Sequence, residues 1–154
     1  MRVVILGAGG FIGSRLARKL LASPTLPVEA GAHGATITEL VLADAREPAV
    51  HRPAAHTPAE SASGASASNG PTVPAPVVTT VQGDIRDAEL FTGIFGRPVD
   101  CVFHLAASLT LDAESDFTRG LEVNVHALMR LLELCRGQAR PPQLVFASSI
   151  SAFG

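Results

Sequence analysis

Gly7, Gly10 and Gly13 stand three residues apart, directly behind a short apolar run from Val3 to Leu6. Glycines placed between a strand and a helix can hold a phosphate chain. One permits a tight turn out of the strand, one lets a pyrophosphate approach the backbone, and one lets the helix pack closely on the sheet. We assign these roles to Gly7, Gly10 and Gly13 in that order. The helix behind them aims free N–H groups and a partial positive charge at the phosphates. The spacing is G-x-x-G-x-x-G rather than G-x-G-x-x-G, with Gly9 between.

Acidic residues supply the next chemistry. Asp44 closes a second apolar run, Glu39 to Ala43. A carboxylate there accepts hydrogen bonds from ribose hydroxyls and repels a 2′-phosphate, which favours NAD over NADP as cofactor. The usual distance from the glycines is about 20 residues. It is longer here because the Pro-, Gly- and Ala-rich stretch 23–38 adds a loop. Arg46, two residues on, carries a charge that attracts a 2′-phosphate and opposes the NAD preference. Gly83-Asp84-Ile85-Arg86-Asp87 follows a third run. Asp84 can reach an adenine amino group or cap a helix, and Asp87 is expected to cap the next helix. His104-Leu105-Ala106-Ala107 ends a fourth run, where small residues let a cofactor lie against the sheet edge. His104 reads as a neutral core residue or one that supports the site from behind, and it is assigned no catalytic role. After a fifth run, Ser148 and Ser149 bring hydroxyls to the same edge, where open α/β sheets bind ligands.

These residues need a frame. Strands are expected at Val3–Leu6, Glu39–Ala43, Val77–Val81, Cys101–Leu105 and Leu144–Ala147. They are apolar without alternation, as in strands buried on both faces. Helical spacing marks 11–22, 87–95 and 115–136. In the last, Leu121, Val125, Leu128, Leu131, Leu132 and Cys135 form a stripe expected to pack in the core. The fold class is therefore α/β, a doubly wound, Rossmann-like parallel sheet of order 3-2-1-4-5 with right-handed crossovers.

Residues 1–154 suit one domain. Within it, 46–76 reads as a disordered insertion, because its Ala, Ser and Pro cannot offset the entropy of ordering. His51 and His56 lie there and are expected to be solvated, so no metal site is predicted. Hydrophobic residues make up 47% and the net charge is −2, with no basic cluster. Neither nucleic acid nor an anionic membrane is expected as partner. No run approaches the roughly 20 apolar residues of a membrane span, and the N-terminus does not form a signal peptide. Cys101 and Cys135 are read as reduced, buried thiols. A cytoplasmic location is expected.

Together the glycine turn, Asp44, Gly83-Asp84-Ile85, His104-Leu105-Ala106-Ala107, Asn124 and Ser148-Ser149 resemble the extended short-chain dehydrogenase/reductase family, which includes nucleotide-sugar epimerases and dehydratases. The resemblance implies that Phe11, Ile12, Asp44, Asp84, Ile85, Leu105, Ala106, Ala107 and Asn124 line the cofactor. It implies that Ser149 is the catalytic serine, hydrogen-bonded to the substrate oxygen. Asp112 to Asn124 and Arg140 to Ser149 look like the D-erythronate dehydrogenase group, whose members oxidise the C2 hydroxyl of a four-carbon sugar acid. The implied substrate is a small sugar acid or a nucleotide sugar. The fifth strand, Leu144–Ala147, reads as a bare apolar sheet edge, and a homodimer through that edge, or aggregation, is expected.

One family feature is missing. The family's base is a tyrosine in Tyr-x-x-x-Lys, where the lysine lowers the phenol pKa. This chain has no tyrosine, and its only lysine, Lys19, belongs to the first helix. The expectation is a cofactor-binding part, ending before the substrate domain and inactive by itself. It represents an NAD-dependent oxidoreductase or, alternatively, an epimerase/dehydratase part or a non-catalytic dinucleotide-binding module.

Overall fold

The computed structural model describes residues 1–27, 34–48 and 73–149. Five strands form one parallel sheet: β1 (Arg2–Leu6), β4 (Glu39–Asp44), β5 (Val77–Gln82), β6 (Cys101–His104) and β7 (Gln143–Phe146). Their order is β5-β4-β1-β6-β7. Counted along the chain this is 3-2-1-4-5, as expected. Two short strands, β2 (Thr25–Leu26) and β3 (Ala35–Thr36), pair antiparallel within the stretch expected as a loop.

Register fixes what each face carries. Val3, Val4, Ile5 and Leu6 pair with Leu40, Val41, Leu42 and Ala43 on one side and with Cys101, Val102, Phe103 and His104 on the other. Alternate residues then point to opposite faces. Val4, Leu6, Val41 and Val102 join Leu90, Phe91 and Ile94 of α2 (Ala88–Phe95) and Leu131 of α5 (Ala127–Arg136). Val3, Ile5, Leu40, Leu42 and Cys101 join Ala17 and Leu20 of α1 (Phe11–Ala22). A sheet covered on both faces explains why its central strands are continuously apolar. At the edges this burial is lost: Val77 on β5 is 66% exposed and Phe146 on β7 is 47% exposed.

The stretch expected as one helix over 115–136 is four pieces. α3 (Thr110–Ser115) stops at Asp116. The Asp116 carboxylate then accepts from the Arg119 N–H at 3.0 Å and caps α4 (Phe117–Leu121). A π-turn, Glu122–His126, leads into α5. The wider turn adds a residue and rotates the following face. The expected core stripe is accordingly split. Leu131 and Cys135 are buried, whereas Leu121, Val125 and Leu132 are exposed.

Both cysteines are free and buried, as thiols were expected to be. Burial raises both thiol pKa values, Cys101 to about 11 with Asp100 adding to the shift. Among the described residues no cluster of His, Cys, Asp or Glu could hold a metal ion. No described helix is long and apolar enough to cross a membrane. Of the expected insertion, 46–48 and 73–76 carry no helix or strand, and Pro48 and Pro76 are buried. Residues 49–72, with His51 and His56, lie outside the described residues.

Candidate dinucleotide cleft

The sheet order changes direction between β1 and β6. The carboxyl ends of strands flanking such a switch point form a crevice. A cleft of about 680 Å³ lies there.

The glycine turn forms its floor. Gly7 has φ +87°, a left-handed conformation in which a side chain is strained. A Cβ on Gly7 would also lie 2.6 Å from the Ala106 nitrogen. Gly7 and Ala8 both donate to the Ala43 carbonyl, at 2.9 and 3.1 Å, which holds the turn on β4. At Gly13 a Cβ would fall 2.1 Å from the Gly7 carbonyl oxygen, so this glycine sets how closely α1 meets the strand. Gly10 differs. It is exposed, and its nearest obstacle to a Cβ is 3.4 Å away. It occupies the N-cap of α1, and no side chain caps that helix or places a carboxylate in its first turn. These orphan N–H groups suit a phosphate.

Asp44 ends β4 beside this turn. Its Oδ2 accepts from the Gly9 N–H at 2.9 Å and its Oδ1 from the Arg46 N–H at 3.1 Å. Oriented this way, the carboxylate keeps lone pairs for ribose hydroxyls. Arg46 lines the same part of the cleft.

Gly83, Asp84 and Ile85 line the wall after β5. Asp84 is bound by its own neighbour: Arg86 Nη2 lies 2.7 Å from Oδ2. Arg86 holds the Asp84 carboxyl below its ordinary range, chiefly through these side-chain hydrogen bonds. Asp87 occupies the N-cap of α2, but its side chain makes no capping bond, contrary to expectation. Its backbone N–H is engaged instead by the Asp84 carbonyl at 3.0 Å.

Leu105, Ala106 and Ala107 line the wall after β6, and Phe11 and Ile12 stand exposed at the rim. Eleven expected cofactor residues, from Gly7 to Ala107, thus share one cleft. Asn124 is not among the residues lining it. Its side chain accepts from the Ser108 N–H at 2.8 Å and donates to the Ser108 carbonyl at 3.1 Å. It therefore braces the loop that lines the cleft. Ser149 lies beyond β7, exposed, and is also not among the lining residues.

His104 is 2% exposed, as a core residue should be. Burial pushes its pKa down. Its ring meets Phe146 edge-on, with centroids 5.5 Å apart. Several lining residues escaped the sequence reading. Gly9 was visible inside the motif, and its role appears only as contact with Asp44. Ser108, Arg119 and Val123 also line the cleft, and no spacing marked them.

The residues present fit a dinucleotide. A left-handed glycine, an uncapped helix end, an oriented carboxylate and an apolar wall meet in one crevice. NAD, when bound, would supply a nicotinamide that carries hydride, and Gly7, Gly10, Gly13 and Asp44 are the residues that would hold it.

Comparison with known proteins agrees. Residues 3–154 match the NAD dependent epimerase/dehydratase family. D-erythronate dehydrogenase of Cupriavidus necator is 32% identical over 154 residues, and that of Haemophilus influenzae is 29% identical. The matches cover 100% of this chain but 40% and 39% of those relatives, so the chain spans about two-fifths of their length. A nucleoside-diphosphate-sugar epimerase from Agrobacterium tumefaciens superposes with a TM-score of 0.75 at 25% identity, over 100% of this chain and 39% of that one. MoeE5, solved with UDP-glucose and NAD, gives 0.65 at 26%, over 100% and 38%. The chain belongs to the NAD dependent epimerase/dehydratase family, and NAD is its cofactor.

Proposed function

We propose that this chain is the NAD-binding part of an oxidoreductase that oxidises a hydroxyl of a small sugar acid such as D-erythronate. The carrying observation is the D-erythronate dehydrogenase likeness, 32% over every residue of the chain, coinciding with a formed cleft. In this reading Gly10 and the N-terminus of α1 receive the pyrophosphate, and Asp44 receives the adenosine ribose. Leu105, Ala106 and Ala107 form the surface on which the cofactor lies. Asn124 keeps that surface in place through Ser108. Ser149 hydrogen-bonds the reacting hydroxyl. A nucleotide-sugar substrate is the second reading, favoured by the superposition on the Agrobacterium epimerase. Titration calorimetry with NAD and NADP tests the cofactor part. Saturation transfer NMR with D-erythronate and UDP-glucose, each in the presence of NAD, tests the substrate part. Transfer to D-erythronate alone supports the first reading, and transfer to UDP-glucose alone overturns it in favour of the second.

The proposed assembly is a homodimer. Phe117, Leu121, Val125, Met129 and Leu132 are exposed at spacings of four, four, four and three residues along the α4-to-α5 stretch. That periodicity puts them on one helical face, and apolar area of this kind marks an interface. β7, the outermost strand of the sheet among the described residues, is a second route to association. Sedimentation velocity of the chain and its Met129→Glu variant separates them, because only the helical route loses the dimer on substitution. The reading further places the protein in the cytoplasm, which fractionation tests.

A further inference from the structure

Arg119 lines the cleft, and among the described residues its guanidinium makes no hydrogen bond or ion pair. The side chain is exposed, but its backbone is fixed. The Arg119 N–H donates to the Asp116 carboxylate at 3.0 Å, and its carbonyl accepts from the Glu122 N–H. Gly120, the next residue, is buried. A Cβ there would fall 2.7 Å from the Ala113 Cβ, so this glycine lets α4 lie tightly against α3. Val123, one turn after Arg119, lines the same cleft. The Arg119 charge also helps to hold the Asp84 carboxyl below its ordinary range, which sets the guanidinium on the Asp84 side of the cleft.

Sheet order says which part of a dinucleotide comes near. The pyrophosphate belongs at α1, behind β1, and the adenosine ribose at Asp44 on β4. β5 is the next strand outward, so the base extends toward Asp84 and Ile85. The wall there is apolar, with Ile85, Leu90 and Val123. A guanidinium is planar and weakly hydrated. It stacks on aromatic faces while its N–H groups stay in water. We propose that Arg119 is a specificity-determining residue whose guanidinium lies on the face of the cofactor's base, leaving the edge of the base to Asp84 and the Ile85 backbone. The phosphates have their own donors in the uncapped N–H groups of α1. The inference rests on the cleft being the NAD site.

The test compares NAD with nicotinamide cytosine dinucleotide, which keeps the phosphates and their charge but carries a smaller ring in place of the purine. Calorimetry reads both affinities for the wild-type chain, Asp44→Ala and Arg119→Met. If the wild type fails to bind NAD, or Asp44→Ala binds it unchanged, the cleft reading fails, whatever Arg119 does. If both behave as expected, Arg119→Met decides. It keeps an apolar stem and removes the guanidinium. It should weaken NAD by about three- to tenfold and the cytosine dinucleotide by less than about twofold. Equal losses for the two ligands would assign Arg119 to the phosphates and overturn the proposal, and so would an unchanged NAD affinity. A second measurement needs no substitution. In the NMR spectrum of the labelled chain with NAD, adenine H2 and H8 should show NOEs to the Arg119 Hδ protons. NOEs from the adenine to Ile85 or Val123 with none to Arg119 would also overturn the proposal.

Discussion

The Asp44 carboxylate accepts a 2.9 Å hydrogen bond from the Gly9 N–H, tying the end of β4 to the glycine turn that follows β1. The contact is close on both sides. A Cβ on Gly9 would stand 3.0 Å from the Asp44 carboxyl carbon. Gly9 therefore holds the acid in place and leaves room for it.

Asp44→Ala should weaken NAD binding by about 1–3 kcal/mol, the cost of losing hydrogen bonds to a charged acceptor. It should also narrow the preference over NADP, because Arg46 stays while the repelling charge goes. Gly9→Ala should lower NAD affinity by displacing the carboxylate. Calorimetry with both cofactors checks these outcomes. Tighter binding of NADP than NAD by the wild type would shift the ribose contact to Arg46.

Gly10 and Gly13 should part company on substitution. Gly13→Ala drives a methyl to 2.1 Å from the Gly7 carbonyl oxygen and 2.8 Å from the Ala8 Cα. Both obstacles are backbone, so α1 must shift, and overpacking of this kind costs about 1–3 kcal/mol or more. Gly10→Val brings its Cβ no closer than 3.4 Å to the Gly7 carbonyl oxygen, and it should leave the melting temperature nearly unchanged while abolishing NAD binding. Urea denaturation beside NAD titration reads the two effects. Unchanged affinity in folded Gly10→Val would make the turn purely structural.

Sheet order, strand positions and the steric need for glycine at positions 7 and 13 were legible in the sequence because each follows from a simple residue pattern. An apolar run five residues long has few other places to go, and Gly7 and Gly13 fail sterically with any side chain. The helix over 115–136 was not legible in detail. Its period looked continuous, yet the Asp116 cap and the π-turn at Glu122–His126 break it. A one-residue insertion in a helix is a tertiary compromise that hydrophobic spacing does not encode. The ion pair of Asp84 was hidden for a similar reason. Its spacing announced a carboxylate at the strand end, whereas its pairing depends on which rotamer Arg86 takes.

His104 gives the fold a pH dependence whose sign follows from burial. Its folded pKa is lowered by desolvation, so the unfolded chain binds the proton more tightly. Stability is then full above the unfolded value of about 6.5 and falls as pH drops below it. The ring Nδ1 is buried without a hydrogen-bond partner among the described residues, which leaves no acceptor to offset a charge there. His104→Phe should flatten the decline of the melting temperature between about pH 7 and pH 5. An equal decline in the variant would assign it to other groups.

The last expectation concerns turnover. Oxidising an alcohol by hydride transfer requires that its hydroxyl proton leave as the hydride does. A serine such as Ser149 can orient that hydroxyl, but at neutral pH it is a poor acceptor of the proton. These 154 residues contain no tyrosine to supply a phenolate. Lys19, the only lysine, lies in the last turn of α1. General-base catalysis is worth about 10²–10⁴-fold, so the chain should bind NAD and yet form no NADH above background from D-erythronate. Absorbance of NADH, followed over hours at saturating NAD, measures this directly. Robust NADH formation would mean that another group takes the proton, and substitution of Ser149 by alanine would then show whether the reaction passes through the serine at all.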